Sequence, residues 1–128
     1  MLEYRGVLIV DDSATSRMII QRCLEMAGVR TASYFQAENG LDALAILRSL
    51  PDPADIDLVI TDLNMPKMDG RAFARQLKAD PKFNPMKVLV ASSIADGDAE
   101  AELLGLGILA VVKKPVSPAK LLDVLGGE

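Results

Sequence analysis

The chain has 128 residues, half of them hydrophobic and a quarter charged, with a net charge of −4 and no histidine. That length suits one domain with a substantial core. The acidic balance disfavours nucleic acid as a direct partner, because such binding needs a basic face. The missing histidine excludes Ser-His and Cys-His catalysis and histidine-based metal sites. The single cysteine, Cys23, excludes an internal disulfide and suits a reducing, cytoplasmic compartment. No apolar run nears the roughly 20 residues needed to cross a bilayer. Met1-Leu2-Glu3-Tyr4-Arg5 runs straight into a strand-like segment, with no signal peptide visible.

Val7-Leu8-Ile9-Val10 is a continuous apolar run, the pattern of a strand buried on both faces of a parallel sheet. It stops at Asp11-Asp12-Ser13, where Ser13 or Asp12 can cap the helix that follows. In that helix Ile20, Cys23, Leu24 and Ala27 recur at helical spacing, and Gly28 stops it. Thr31 to Phe35 is the second expected strand. Asn39-Gly40 opens a second helix, with Leu41, Leu44, Ala45 and Leu47 or Leu50 expected inward, until Pro51-Asp52-Pro53 breaks it.

Asp57 to Thr61 forms the third expected strand, which ends by presenting Asp62. Pro66 and Asp69-Gly70 mark a turn, and Arg71 to Lys78 is a helix with Phe73, Ala74 and Leu77 inward. Val88 to Ala91 is the fourth strand, ending in Ser92-Ser93. An acidic fourth helix is expected from Asp96 to Leu104. Ile108 to Val112 is the fifth strand, ending in Lys113-Lys114-Pro115. Ser117-Pro118 starts the last helix, with Ser as cap and Pro at the first helical position. Its expected buried stripe is Leu121, Leu122 and Leu125, and Gly126-Gly127 ends it.

Five alternations of strand and helix call for a parallel sheet covered on both faces. Parallel strands all end at one edge, where α/β sheets bind ligands. Asp11, Asp12, Asp62, Ser92 and Lys114 therefore gather there. Any one of them alone reads as a helix cap or a solvated strand end. Together they form a chemistry. Three carboxylates in one pocket need a cation, and Mg²⁺ suits an oxygen-only site. A hydroxyl and an ammonium opposite them suit a phosphoryl group. Asp62 is the expected nucleophile, since a carboxylate can form an aspartyl phosphate.

On Leu8 to Ser13, Thr61 to Gly70, Ala91-Ser92-Ser93 and Val112 to Pro115, the chain resembles the receiver domains of response regulators, the CheY-like domains of chemotaxis. The resemblance covers essentially residues 1–128 as a single receiver domain. It implies a flavodoxin-like, doubly wound α/β fold with a five-stranded parallel sheet of order 2-1-3-4-5. It implies a role in two-component signal transduction, with Asp62 accepting a phosphoryl group from a sensor histidine kinase or phosphotransfer protein. It implies that Asp12, Asp62 and the backbone carbonyl of Asn64 bind Mg²⁺, with Asp11 assisting through water. Ser92 matches the switch Ser/Thr of the family. Lys114, which directly precedes Pro115, matches its lysine. A downstream protein target would read the face of the fourth helix, fifth strand and fifth helix. Such a domain is a signalling phosphoacceptor that acts on itself, and not an enzyme with a separate substrate. One position departs from the family: Val111 stands where an aromatic often couples to the switch.

Three other readings share the fold or the chemistry. A phosphorylation-independent pseudo-receiver typically lacks an acidic or lysine position that is present here. An Mg²⁺ phosphatase with an aspartate nucleophile places a second carboxylate two residues later, where this chain has Asn64. A flavodoxin-like electron carrier needs a phosphate loop after the first strand, and none is found.

Overall fold

In a computed structural model, which describes residues 2–93 and 97–126, five strands run parallel: β1 (Val7–Val10), β2 (Tyr34–Ala37), β3 (Leu58–Asp62), β4 (Lys87–Ser92) and β5 (Ala110–Lys113). Their order is β2-β1-β3-β4-β5, the doubly wound order expected. The helices are α1 (Ala14–Met26), α2 (Gly40–Ser49), α3 (Gly70–Ala79), α4 (Gly97–Gly105) and α5 (Pro118–Leu125).

Strand alternation sends neighbouring side chains to opposite faces. On one face, Leu8, Val10, Val59, Val88 and Val90 pack with Leu44 and Leu47 of α2, Phe73 and Leu77 of α3, and Leu103 of α4. On the other, Val7, Ile9, Leu58, Ile60 and Leu89 pack with Ile20 and Leu24 of α1, and Leu121 and Leu125 of α5. Both faces of the sheet are thus covered, which is why Val7–Val10, Leu58 to Ile60 and Val88 to Ala91 of its central strands are continuous apolar runs.

Side-chain caps set the helix starts. The Ser13 hydroxyl accepts from Ser16 N–H, Asn39 from Asp42 N–H, Asp69 from Ala72 N–H, and Ser117 from Lys120 N–H. Each satisfies one donor left free by the first helical turn. Gly28 follows α1 with φ +94°, a conformation that favours glycine.

Four expectations need correction. The second strand does not run from Thr31 to Phe35. Arg30–Thr31 instead pairs with a short N-terminal strand, Glu3–Tyr4, and β2 begins at Tyr34. Between them the Thr31 hydroxyl accepts from Ser33 N–H and donates to Ser33 O, a local closure that competes with the ladder. Leu41 is 48% exposed and Ala45 is also outward, because Ala43 joins Leu44 and Leu47 on the buried face of α2. Leu122 is 47% exposed, and α5 buries only Leu121 and Leu125 of the expected stripe. The fifth strand begins two residues later than expected, at Ala110. The expected fourth-helix start at Asp96, and Gly127 after α5, lie outside the described residues.

Candidate functional site

The strand ends converge as the topology requires. Asp11 follows β1, and its N–H donates to Ala37 O of β2 at 3.0 Å. Asp62 is the last residue of β3 and pairs with Ala91 of β4. Ser92 ends β4 and pairs with Lys113 of β5. Just beyond, Lys114 N–H donates to Ser92 O at 2.8 Å, extending the sheet by one bond.

Carboxylate oxygens of Asp11, Asp12 and Asp62 lie within 4.8 Å of one another. Asp11 is 1% exposed and Ser92 2%, whereas Asp12 faces solvent. The Lys114 ammonium stands 2.8 Å from Asp11 Oδ2 and 3.5 Å from Asp62 Oδ2. Asn64 is exposed in the β3–α3 loop, two residues past Asp62. The backbone of that loop folds tightly against the end of β3. Gly70 N–H donates to Leu63 O at 2.8 Å, and a Cβ at Gly70 would fall 2.1 Å from Asp62 O. Only glycine allows this approach. Within the loop Lys67 takes φ +65°, an uncommon conformation for a residue with a side chain.

The two inner carboxylates differ electrostatically. Burial pushes the Asp11 carboxyl up, but hydrogen bonds from Lys114, Ser16 and Ser13 and the Lys114 charge outweigh it and hold the group below the ordinary carboxylate value. Burial also pushes Asp62 up. There the Lys114 charge and the Leu63 N–H pull down, Asp11 pushes up, and the net shift is upward. Burial pushes the Lys114 ammonium down, yet its contacts with Asp11 and Asp62 raise it overall. Asp11 is thus firmly ionised and bonded, while Asp62 is the less satisfied group.

Two contributors were not read from the sequence. Ser16 Oγ donates to Asp11 Oδ2 at 2.6 Å and accepts from Lys114 Nζ at 3.3 Å. Arg17 donates to Asp11 O at 2.6 Å and to Gln36 Oε1 at 2.9 Å, tying α1 to β2. Their signal was position: the first turn of a helix that starts at the strand tip points back at the same edge. Val111 is half-buried and packs on the α2–α4 core.

The model of the response regulator receiver domain matches residues 7–126. The chain belongs to the response regulator receiver family. It is 34% identical over 125 residues to the chemotaxis protein CheY homolog of Campylobacter jejuni, covering 94% of this chain and 92% of that protein. It is 37% identical over 123 residues to the sensory/regulatory protein RpfC of Xanthomonas campestris, covering 93% of this chain but spanning only 16% of that protein. The crystal structure of a receiver protein from Pseudomonas putida superposes with a TM-score of 0.81 at 27% identity, with 98% of each chain covered. Receiver domains therefore occur among its relatives both nearly alone and as one part of a much longer sensory protein. The family serves two-component signalling and is not a family of conventional enzymes. Among the described residues no helix is long and apolar enough to cross a membrane.

Proposed function

We propose that this chain is a single receiver domain spanning residues 1–128, which takes a phosphoryl group on Asp62 and changes its affinity for a partner. The observation that carries the reading is the Lys114 ammonium beside Asp62 in a pocket with two further carboxylates. The group transfer is direct. An Asp62 oxygen forms a bond to phosphorus, and the bond from phosphorus to the donor's imidazole nitrogen breaks. The leaving nitrogen keeps the electron pair and takes a proton from solvent.

The three carboxylates fit a small hard dication. Adjacent ligands of octahedral Mg²⁺ lie about 3 Å apart and opposite ones about 4 Å apart, within the span seen here. Asp12, Asp62 and the Asn64 carbonyl would hold it, with Asp11 acting through water. When bound, Mg²⁺ supplies positive charge to the phosphoryl oxygens. Lys114 supplies a second positive charge, and the Ser92 hydroxyl a hydrogen bond. A ligand-driven move from 1:99 to 99:1 needs about 5.5 kcal/mol. One charge-assisted bond gives roughly 1.5–3 kcal/mol, so at least two such contacts are needed, and Ser92 and Lys114 offer them. Slow self-dephosphorylation would reset the domain.

The phosphodonor would be the phosphohistidine of a sensor histidine kinase or phosphotransfer protein, on another chain or on a further part of this protein, since the 128 residues contain no histidine. The output passes through the face formed by α4, β5 and α5, which adjoins Ser92 and Lys114. Incubation with acetyl phosphate and Mg²⁺ tests the reading by intact mass. One phosphoryl group, labile to hydroxylamine, is expected on the wild type and none on Asp62→Asn. Equal labelling of both proteins refutes the assignment. No labelling of either leaves the pseudo-receiver as the better account.

A further inference from the structure

We propose that Ser16 is a positioning residue for phosphoryl transfer, an inference that rests on Asp62 being the acceptor. Its hydroxyl sits between the two groups that must keep their places. It donates to Asp11 Oδ2 at 2.6 Å and accepts from Lys114 Nζ at 3.3 Å. The same ammonium contacts Asp11 at 2.8 Å and Asp62 at 3.5 Å. Among the described residues, three oxygens, from the β1–α1 loop, α1 and β3, thus surround one ammonium. An ammonium has three N–H donors and a flexible four-carbon stem, so its direction is set by its acceptors. With Ser16 and Asp11 both holding it, Lys114 presents its remaining donor toward Asp62, where the incoming phosphoryl oxygens would lie.

Ser16 is itself fixed from behind, because its N–H donates to the Ser13 hydroxyl at 3.2 Å at the start of α1. The first turn of α1 thereby becomes part of the site. No charge change is needed for this role. The hydroxyl acts by geometry, and transfer rates respond steeply to small misplacements of the stabilising group.

A groove of about 440 Å³, lined by Ser16, Ile19, Ser93, Lys114 and Val116, opens beside this hydroxyl. A methyl group added at residue 16 has room there, so a matched pair of variants separates hydroxyl from shape. Ser16→Thr keeps the hydroxyl. Ser16→Val has the same outline without it.

The test is self-phosphorylation by acetyl phosphate, followed by intact mass across an Mg²⁺ titration. In this reaction an Asp62 oxygen bonds to phosphorus and the bond from phosphorus to the acetyl oxygen breaks. Acetate leaves with the electron pair, and no proton is exchanged. Ser16→Ala and Ser16→Val are expected to lower the maximal rate about fivefold, with the half-saturating Mg²⁺ concentration changed less than twofold. Ser16→Thr is expected to stay within about twofold of wild type in both. A rate unchanged in Ser16→Ala and Ser16→Val overturns the proposal, as does a Ser16→Thr rate as low as that of Ser16→Val. If wild type itself takes no label, the Asp62 reading falls and this inference falls with it. If wild type labels on Asp62 while all three variants match it, only the role of Ser16 is lost.

Discussion

Neutralising one inner carboxylate should stabilise the metal-free protein, and neutralising the other should destabilise it. Carboxylate oxygens of Asp62 and Asp11 lie no more than 4.8 Å apart, which corresponds to a repulsion of at least about 3.5 kcal/mol at an effective dielectric of about 20. Lys114, at 3.5 Å from Asp62, returns about 4.7 kcal/mol on the same scale. These terms nearly cancel, and exposed Asp12 adds only a screened repulsion. What remains for Asp62 is the cost of burying an ionised carboxylate that is 13% exposed. Asp62→Asn avoids it and should gain about 1 kcal/mol, or about 4 °C in Tm for a chain of this length. Asp11→Asn turns an amide donor toward the donors that now bond the carboxylate, and should lose about 2 kcal/mol, or about 7 °C.

The signs should separate with pH. The Asp62 pKa is raised on folding, so its ionisation removes stability as pH climbs from the ordinary carboxylate value through the folded value. The Asp62→Asn gain should therefore be present near neutrality and fade in acid. The Asp11 pKa is lowered, so its contribution is present above the ordinary value and is lost as pH falls through the lower folded one. Thermal melts in EDTA, followed by circular dichroism between about pH 3 and pH 8, measure both. If the two substitutions shift Tm in the same direction at neutral pH, the electrostatic account of the pocket is wrong.

Mg²⁺ at about ten times its Kd should raise the wild-type Tm by about 5 °C, through roughly 1.4 kcal/mol of linkage; an unchanged melt in a calcium-free Mg²⁺ titration would count against the site. Gly70→Ala should cost more than about 2 kcal/mol, because its Cβ meets Asp62 O and the Leu63 Cα. Gly40→Ala first meets the Met68 side chain, whose outer atoms can shift, and should cost less in the same denaturant titration. Glu102→Gln should loosen α4, since Glu102 bridges Arg71 and Arg75 of α3. Faster amide exchange in Gly97–Gly105, with under about 1 kcal/mol lost and the difference shrinking in high salt, is the expected outcome. Ser92→Ala and Lys114→Ala should still label on Asp62, more slowly than wild type, but fail to shift the NMR resonances of α4 and α5 on phosphorylation; wild-type shifts in both would place the switch elsewhere.

The apolar runs told most of the fold. Val7–Val10 and the first four residues of β3, Leu58 to Thr61, are buried on both sides, and only a central parallel strand demands that pattern. The second strand lies at the sheet edge and is half-exposed, so its sequence carries little hydrophobic signal and its start slipped by three residues. Leu41 and Leu122 misled for a related reason. Helical spacing gives a stripe, but the packing partner decides how wide the stripe is. For the site, Asp11, Asp12, Asp62, Ser92 and Lys114 were legible because each ends an apolar run. Ser16 and Arg17 were not, since a polar residue in a first helical turn is ordinary and its aim depends on how α1 leaves the sheet.

The bond from Lys114 N–H to Ser92 O has an evolutionary consequence. The two residues proposed to carry the response lie at the end of β4 and just past β5, 22 positions apart in the chain, yet share one peptide hydrogen bond of 2.8 Å. A backbone shift that suits a new side chain at position 92 carries position 114 with it. Substitutions at these two places should not drift independently. A lineage that changes one inherits pressure to change the other, and a double variant should behave unlike the sum of its two single ones.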